Sequence, residues 1–126
     1  AVEYYAAPDP VVAEQRMLMF MGFPSAKDPS FGARHPGKST CVIITEAKRE
    51  WFAEFEGGQS GKRRDAEYDA KKRSFEEALL AGLHRFFPKT EGRVSYVQTA
   101  SPLTNEHYLK RAASYGLEPT PGRYTT

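Results

Sequence analysis

The chain has 126 residues, 40% of them hydrophobic and 27% charged, with 18 basic against 16 acidic side chains and a net charge of +2. That length fits one domain with a core of its own, and the near balance of charge excludes the broad positive field of a nucleic-acid binder or a polybasic membrane anchor. Cys41, the single cysteine, excludes an internal disulfide and a multi-cysteine zinc site; it opens an apolar run, where a buried, inert thiol is expected.

Residues 1–14, beginning AVEYYAAPDP, carry a Pro-Asp-Pro turn and read as an N-terminal arm. The start without methionine reads as a processed chain or a piece of a longer one. From Gln15 to Phe23 the run QRMLMFMGF is short, rich in Met and Phe and followed by Pro24, which predicts a buried first strand. Residues 24–40, with three prolines, predict a loop that turns at Lys27-Asp28-Pro29. That is long for a passive connection. CVIITEA predicts the second strand, because Val42, Ile43, Ile44 and Thr45 are β-branched and stiff at χ1.

KREWFAEFE places Trp51, Phe52 and Phe55 at helical spacing and predicts a short amphipathic helix stopped by Gly57-Gly58, with GGQSGKRR as a solvent loop. A long helix is predicted over 65–87, capped by Asp65 and stopped by Pro88. Tyr68, Phe75, Leu79, Leu83 and Phe86 form its apolar face, and Lys71, Lys72, Arg73, Glu76 and Glu77 a solvated one. RVSYVQTA alternates and predicts a third strand, and residues 101–126 predict an extended C-terminal segment. The expectation is an α+β core over residues 15–100, with about three mainly antiparallel strands and both helices on one face of the sheet, between arms at 1–14 and 101–126.

Gly32, Gly37, Lys38 and Ser39 match G-x-x-x-x-G-K-[ST]. A phosphate loop must leave a strand and run into a helix, whose N-terminal N–H groups complete the anion site. Here Lys38, Ser39 and Thr40 run into the predicted strand CVIIT, and Pro36 removes one donor. A structural loop is therefore expected, with Gly32 and Gly37 serving turns. His35, His84 and His107 are far apart, without metal-ligand spacing, and Ser39 and Ser60 lack the G-x-S-x-G setting of a hydrolase nucleophile. No apolar stretch nears the roughly 18 residues of a membrane-spanning helix. The chain reads as soluble or peripheral to a membrane.

The stretch GFPSAKDPSF with ARHPGKSTCVIIT, the later SPLTNEHYL and YGLE, and between them WFAEF, the pattern of Tyr68, Lys72 and Phe75, and HRFFP, all resemble the retinol saturase branch of the flavin-dependent phytoene desaturase and carotenoid isomerase family. The resemblance runs in order from about Phe20 to Tyr124. It implies a later part of the substrate domain of a long FAD-dependent oxidoreductase acting on double bonds of a polyene or isoprenoid lipid. The dinucleotide fingerprint G-x-G-x-x-G does not occur in the sequence, so the isolated chain is expected to hold no cofactor, and FAD only if the missing portion is supplied. In a complete flavoenzyme, the resemblance implies Thr104, Asn105, His107, Tyr108 and Tyr115 near flavin or substrate. The stretch Lys110 to Ser114 departs from the pattern by its shortness and lack of glycine, which implies a lost flavin contact.

Three functions follow as expectations. The first is a non-catalytic accessory or interaction subunit, or a fragment, with protein partners in a larger assembly; the association of the family with polyenes makes a pigment-bearing or organellar host conceivable. The second is a portion of an active FAD-dependent oxidoreductase. The third is a free-standing module binding a hydrophobic ligand such as a polyene lipid or pigment, with Met17, Met19 and Met21 as an adaptable apolar wall. Nucleic acid is not an expected partner, and the compartment stays unassigned.

Overall fold

The computed structural model describes residues 17–56 and 62–110, and over 62–65 the backbone alone. Strand β1, Met19–Gly22, pairs antiparallel with β2, Val42–Thr45, with Met19 opposite Thr45 and Phe20 opposite Ile44. The β-branched run Val42–Thr45 supplies the stiff χ1 angles that suit a pleated surface. Period-two alternation divides the sheet: Met19, Met21, Ile43 and Thr45 are half-buried, whereas Leu18, Phe20, Val42 and Ile44 point to the open side. Thr45 Oγ1 donates to the Leu18 carbonyl at 2.8 Å, extending the pairing by one residue.

The connection between the strands is clasped at its base. Ser25 N–H donates to Thr40 Oγ1 at 3.2 Å, and Thr40 N–H donates to Ser25 Oγ at 2.9 Å. Within the loop lie a 3₁₀ turn, Pro24–Lys27, and a single helical turn α1, Phe31–Arg34. Asp28, at the predicted turn, accepts from Ser30 N–H and Oγ–H at 2.9 and 2.7 Å and pairs with Arg34.

Residues 49–55, expected as an α-helix, form a 3₁₀ helix, Arg49–Phe55, closed by Glu56 N–H donating to the Ala53 carbonyl at 3.0 Å. Its tighter winding still delivers all three aromatics to the interior: Trp51, Phe52 and Phe55 are buried. The long helix α2 runs Lys62–Phe86. It begins three residues before Asp65, so that residue lies in the first turn rather than at the cap, and Lys62-Arg63-Arg64 are helical where a solvent loop was expected. The proposed stop at Gly57-Gly58 and the arm at 1–14 lie outside the described residues.

Phe75 and Leu83 are buried on α2 as the apolar pattern requires, but Phe86 is 67% exposed. It stands in the last turn, and there the apolar stripe of the sequence runs past what the described residues cover. Phe87 is 42% exposed and makes an edge contact to Phe23 at 4.9 Å between ring centroids. Beyond α2, a 3₁₀ turn, Pro88–Thr90, and Gly92 at φ +70° reverse the chain. The predicted third strand is absent: residues 93–100 run without turn or bend but pair with no other strand, so the sheet among the described residues has two strands. The α+β class holds, with a two-stranded antiparallel sheet and several helices.

The core is aromatic. Phe52 lies 5.3 Å from Phe75, Trp51 5.8 Å from Phe75, and Phe55 5.4 Å from Tyr68, ring centre to ring centre. Tilted and edge arrangements of this kind suit the ring quadrupoles. Met17, Ala47 and Leu103 pack around the cluster. The sheet meets α2 farther along the helix, where a Cβ at Gly82 would overlap the thioether of Met19 and touch Met21. Glycine lets strand and helix approach there. Met17 packs on the aromatic cluster, and Met19 and Met21 lie against Gly82 of α2.

Candidate functional site

The polar centre of the molecule is the start of helix α3, Pro102–Leu109, in the segment expected to be extended. The sequence Ser101-Pro102-Leu103-Thr104 builds a capping box with Pro at the first helical position. Ser101 Oγ accepts from Thr104 N–H, and Thr104 Oγ1 accepts from Ser101 N–H, both at 3.2 Å. Ser101 is 3% exposed. Its hydroxyl also lies 2.5 Å from the Tyr68 hydroxyl, which reaches Thr104 Oγ1 at 3.3 Å, so α2 and the start of α3 are joined through three hydroxyl groups. Lys72, one turn after Tyr68, places its ammonium 5.5 Å from the Tyr68 ring centre.

The helix separates the residues on which the family resemblance places function. Thr104 and Tyr108 border a groove of about 500 Å³ between α2 and the 97–99 segment. Asp69, Lys72, Arg73 and Glu76 form its opposite bank, and Thr99 Oγ1 donates to Glu76 at 2.5 Å. His107 faces a smaller hollow of about 220 Å³ with Phe55, Leu103, Glu56 and Glu106. The His107 and Tyr108 rings meet edge to face at 5.1 Å. Asn105 is half-buried on α3, and Tyr115 lies outside the described residues. Thus Thr104 and Tyr108 share one groove, and His107 belongs to another.

The smaller hollow is bounded by an ion-pair network. Arg49 Nε donates to Glu106 at 3.0 Å, and its Nη2 donates to Glu56 at 2.5 Å. The guanidinium beside Glu56 holds that carboxyl below the usual range, while the hydrogen bonds of Glu56 and then Glu106 push Arg49 further up. Burial moves the Cys41 thiol up, away from the thiolate. Among the described residues no three of His, Cys, Asp and Glu are placed to hold a metal ion, and no described helix is long and apolar enough to cross a membrane.

Chemically, the cap is a set of mutually bonded neutral hydroxyls. No histidine is hydrogen-bonded to Ser101, so among the described residues a nucleophile and base are not paired there. The mixed-charge groove suits polar groups better than a hydrocarbon chain. At the glycine-rich loop, Lys38 N–H donates back to the His35 carbonyl and Ser39 Oγ lies 3.0 Å from Ser25 Oγ, and the chain continues into β2. The loop thus lacks the following helix of a phosphate site. Tyr68 and Ser101 were missed as site-forming residues in the sequence, although S-P-x-T is a readable helix-start signal.

These elements define a small α+β unit whose sequence is homologous, along nearly all its length, to one stretch of much longer retinol-reductase proteins. Human all-trans-retinol 13,14-reductase is 41% identical over 122 residues, which is 95% of this chain and 20% of that protein. The rat all-trans-retinol 13,14-reductase is 38% identical over 117 residues, and a zebrafish (Danio rerio) inactive all-trans-retinol 13,14-reductase 31% identical over 121. The chain spans about one fifth of the length of the curated relatives it matches. No family model and no solved structure matches it.

Proposed function

We propose that this stretch is a non-catalytic, supporting portion of the substrate domain of a retinol saturase-like flavoenzyme, working through contacts with protein partners in a larger assembly. One observation carries the reading. The hydroxyls of Ser101 and Thr104 are committed to the α3 cap and to Tyr68, while His107 and Tyr108 face separate hollows. No acid–base pair is assembled among them. That one similar protein is named inactive agrees with such a role.

The second reading is a portion of an active FAD-dependent oxidoreductase acting on a double bond of a polyene lipid. The 41% identity to human all-trans-retinol 13,14-reductase favours it. Thr104, Asn105, His107, Tyr108 and Tyr115 would then lie toward flavin or substrate, with FAD held by polypeptide outside this stretch. The test is to place these 126 residues in the matching fifth of the human protein, with His107→Ala and Tyr108→Phe made singly. The supporting role expects each variant to keep retinol reduction within about threefold of the unsubstituted hybrid. A loss of about 100-fold, with folding and flavin content intact, overturns it, as that is the scale of a lost acid–base group.

A further inference from the structure

The segment 93–98, RVSYVQ, has the composition of a strand and no strand beside it. The segment is anchored at both ends. Arg93 N–H donates to the Thr90 carbonyl at 3.0 Å after the Gly92 turn, and at the far end Thr99 is bonded to Glu76 and Ser101 is buried in the α3 cap. Between these anchors, from Val94 to Gln98, no backbone N–H has a protein partner among the described residues. Tyr96 is 77% exposed, and Val94 and Val97 are exposed as well. An unbent, β-prone stretch with open N–H and C=O groups is a template for strand pairing, and proteins ordinarily cover or blunt such an edge.

We propose that residues 93–98 form an edge to which a β-strand of the same longer polypeptide adds, and this rests on the reading that the chain works inside a relative-length protein. The occupant is an extended segment from the four-fifths of such a protein that lies outside the homologous stretch. Backbone hydrogen bonds supply the pairing, and β-branched or aromatic residues on the added strand lie opposite Val94 and Tyr96. The anchors matter energetically. A segment already ordered loses less conformational entropy on pairing than a free one.

The test is amide hydrogen exchange, run on the isolated chain and on the hybrid carrying these residues in human all-trans-retinol 13,14-reductase. Pairing on one side protects every second amide, because successive N–H groups of a strand point to opposite edges. The hybrid is expected to slow either the amides of Val94, Tyr96 and Gln98 or those of Ser95 and Val97 by at least about 100-fold, with all five near free-chain rates in the isolated chain. Uniformly fast exchange in a folded hybrid overturns the proposal. So does protection that appears in the isolated chain as its concentration rises, since that gives the edge to a second copy. If the hybrid does not fold, exchange over the matching residues of the human protein decides in the same way. Retinol reduction by the hybrid bears on the proposed function alone.

Discussion

The aromatic end of the molecule and its sheet end are built to different degrees of completeness. Around Phe52, 2% exposed, four rings and the flanking Met17, Ala47 and Leu103 enclose one another. In the sheet, the described residues cover one face, and Phe20 stays 66% exposed on the other. The first region closes on itself, and the second leaves an apolar face uncovered among the described residues. An apolar face that the described residues leave uncovered is what a stretch homologous to one fifth of a longer protein should show.

Substitutions that separate the two regions sharpen this contrast. Phe52→Ala has the largest expected effect: deleting a buried ring costs about 3–5 kcal/mol, read as a loss of cooperative thermal unfolding or a midpoint lower by at least about 12 °C. Ser101→Ala comes next, at about 1–3 kcal/mol, because the N–H of Thr104 and the hydroxyl of Tyr68 lose a buried partner. Chemical denaturation measures it, and Ser101→Thr recovers part of the loss.

A smaller effect follows acidity. The folded Glu56 carboxyl is held low by Arg49, and that of Asp28 by its bonds from Ser30. Their contributions are complete above the unfolded carboxylate range, about 3.9–4.3, and are lost as pH falls through the lower folded values. The thermal midpoint should drop across that window, and Arg49→Gln should flatten the part owed to Glu56. Smallest of all is Phe20→Ser on the open face, expected within about 0.5 kcal/mol in the isolated chain. A loss near that of Phe52→Ala would erase the contrast between the regions.

Much of the fold is legible in the residues. Val42–Thr45 announces a strand by its β-branching, and the seven- and four-residue steps of Tyr68, Phe75, Leu79 and Leu83 announce α2. What failed was context. RVSYVQTA has strand propensity, but a strand also needs a partner, and none lies beside it among the described residues. Helix α3 has little apolar periodicity, so a reading based on period passes over it, while its cap signal at Ser101, Pro102 and Thr104 identifies it. The spacing of Trp51, Phe52 and Phe55 suits one buried face of an α-helix as well as the 3₁₀ helix that forms, so it did not distinguish the two. Of the candidate site, Thr104 and Tyr108 share a groove, but their division from His107 required the actual direction of α3.

Helix α2 joins the two regions as a beam. Tyr68, tied to the α3 cap, and Leu83, beyond the glycine that seats β1, are fifteen residues apart, about 22 Å of rigid helix. Pivoting at one end by about 10° would carry the other through about 4 Å, roughly the spacing between neighbouring strands. A tilt of α2 about the hydroxyl cluster would therefore be read as a shift of several ångströms where Met19 and Met21 lie against Gly82.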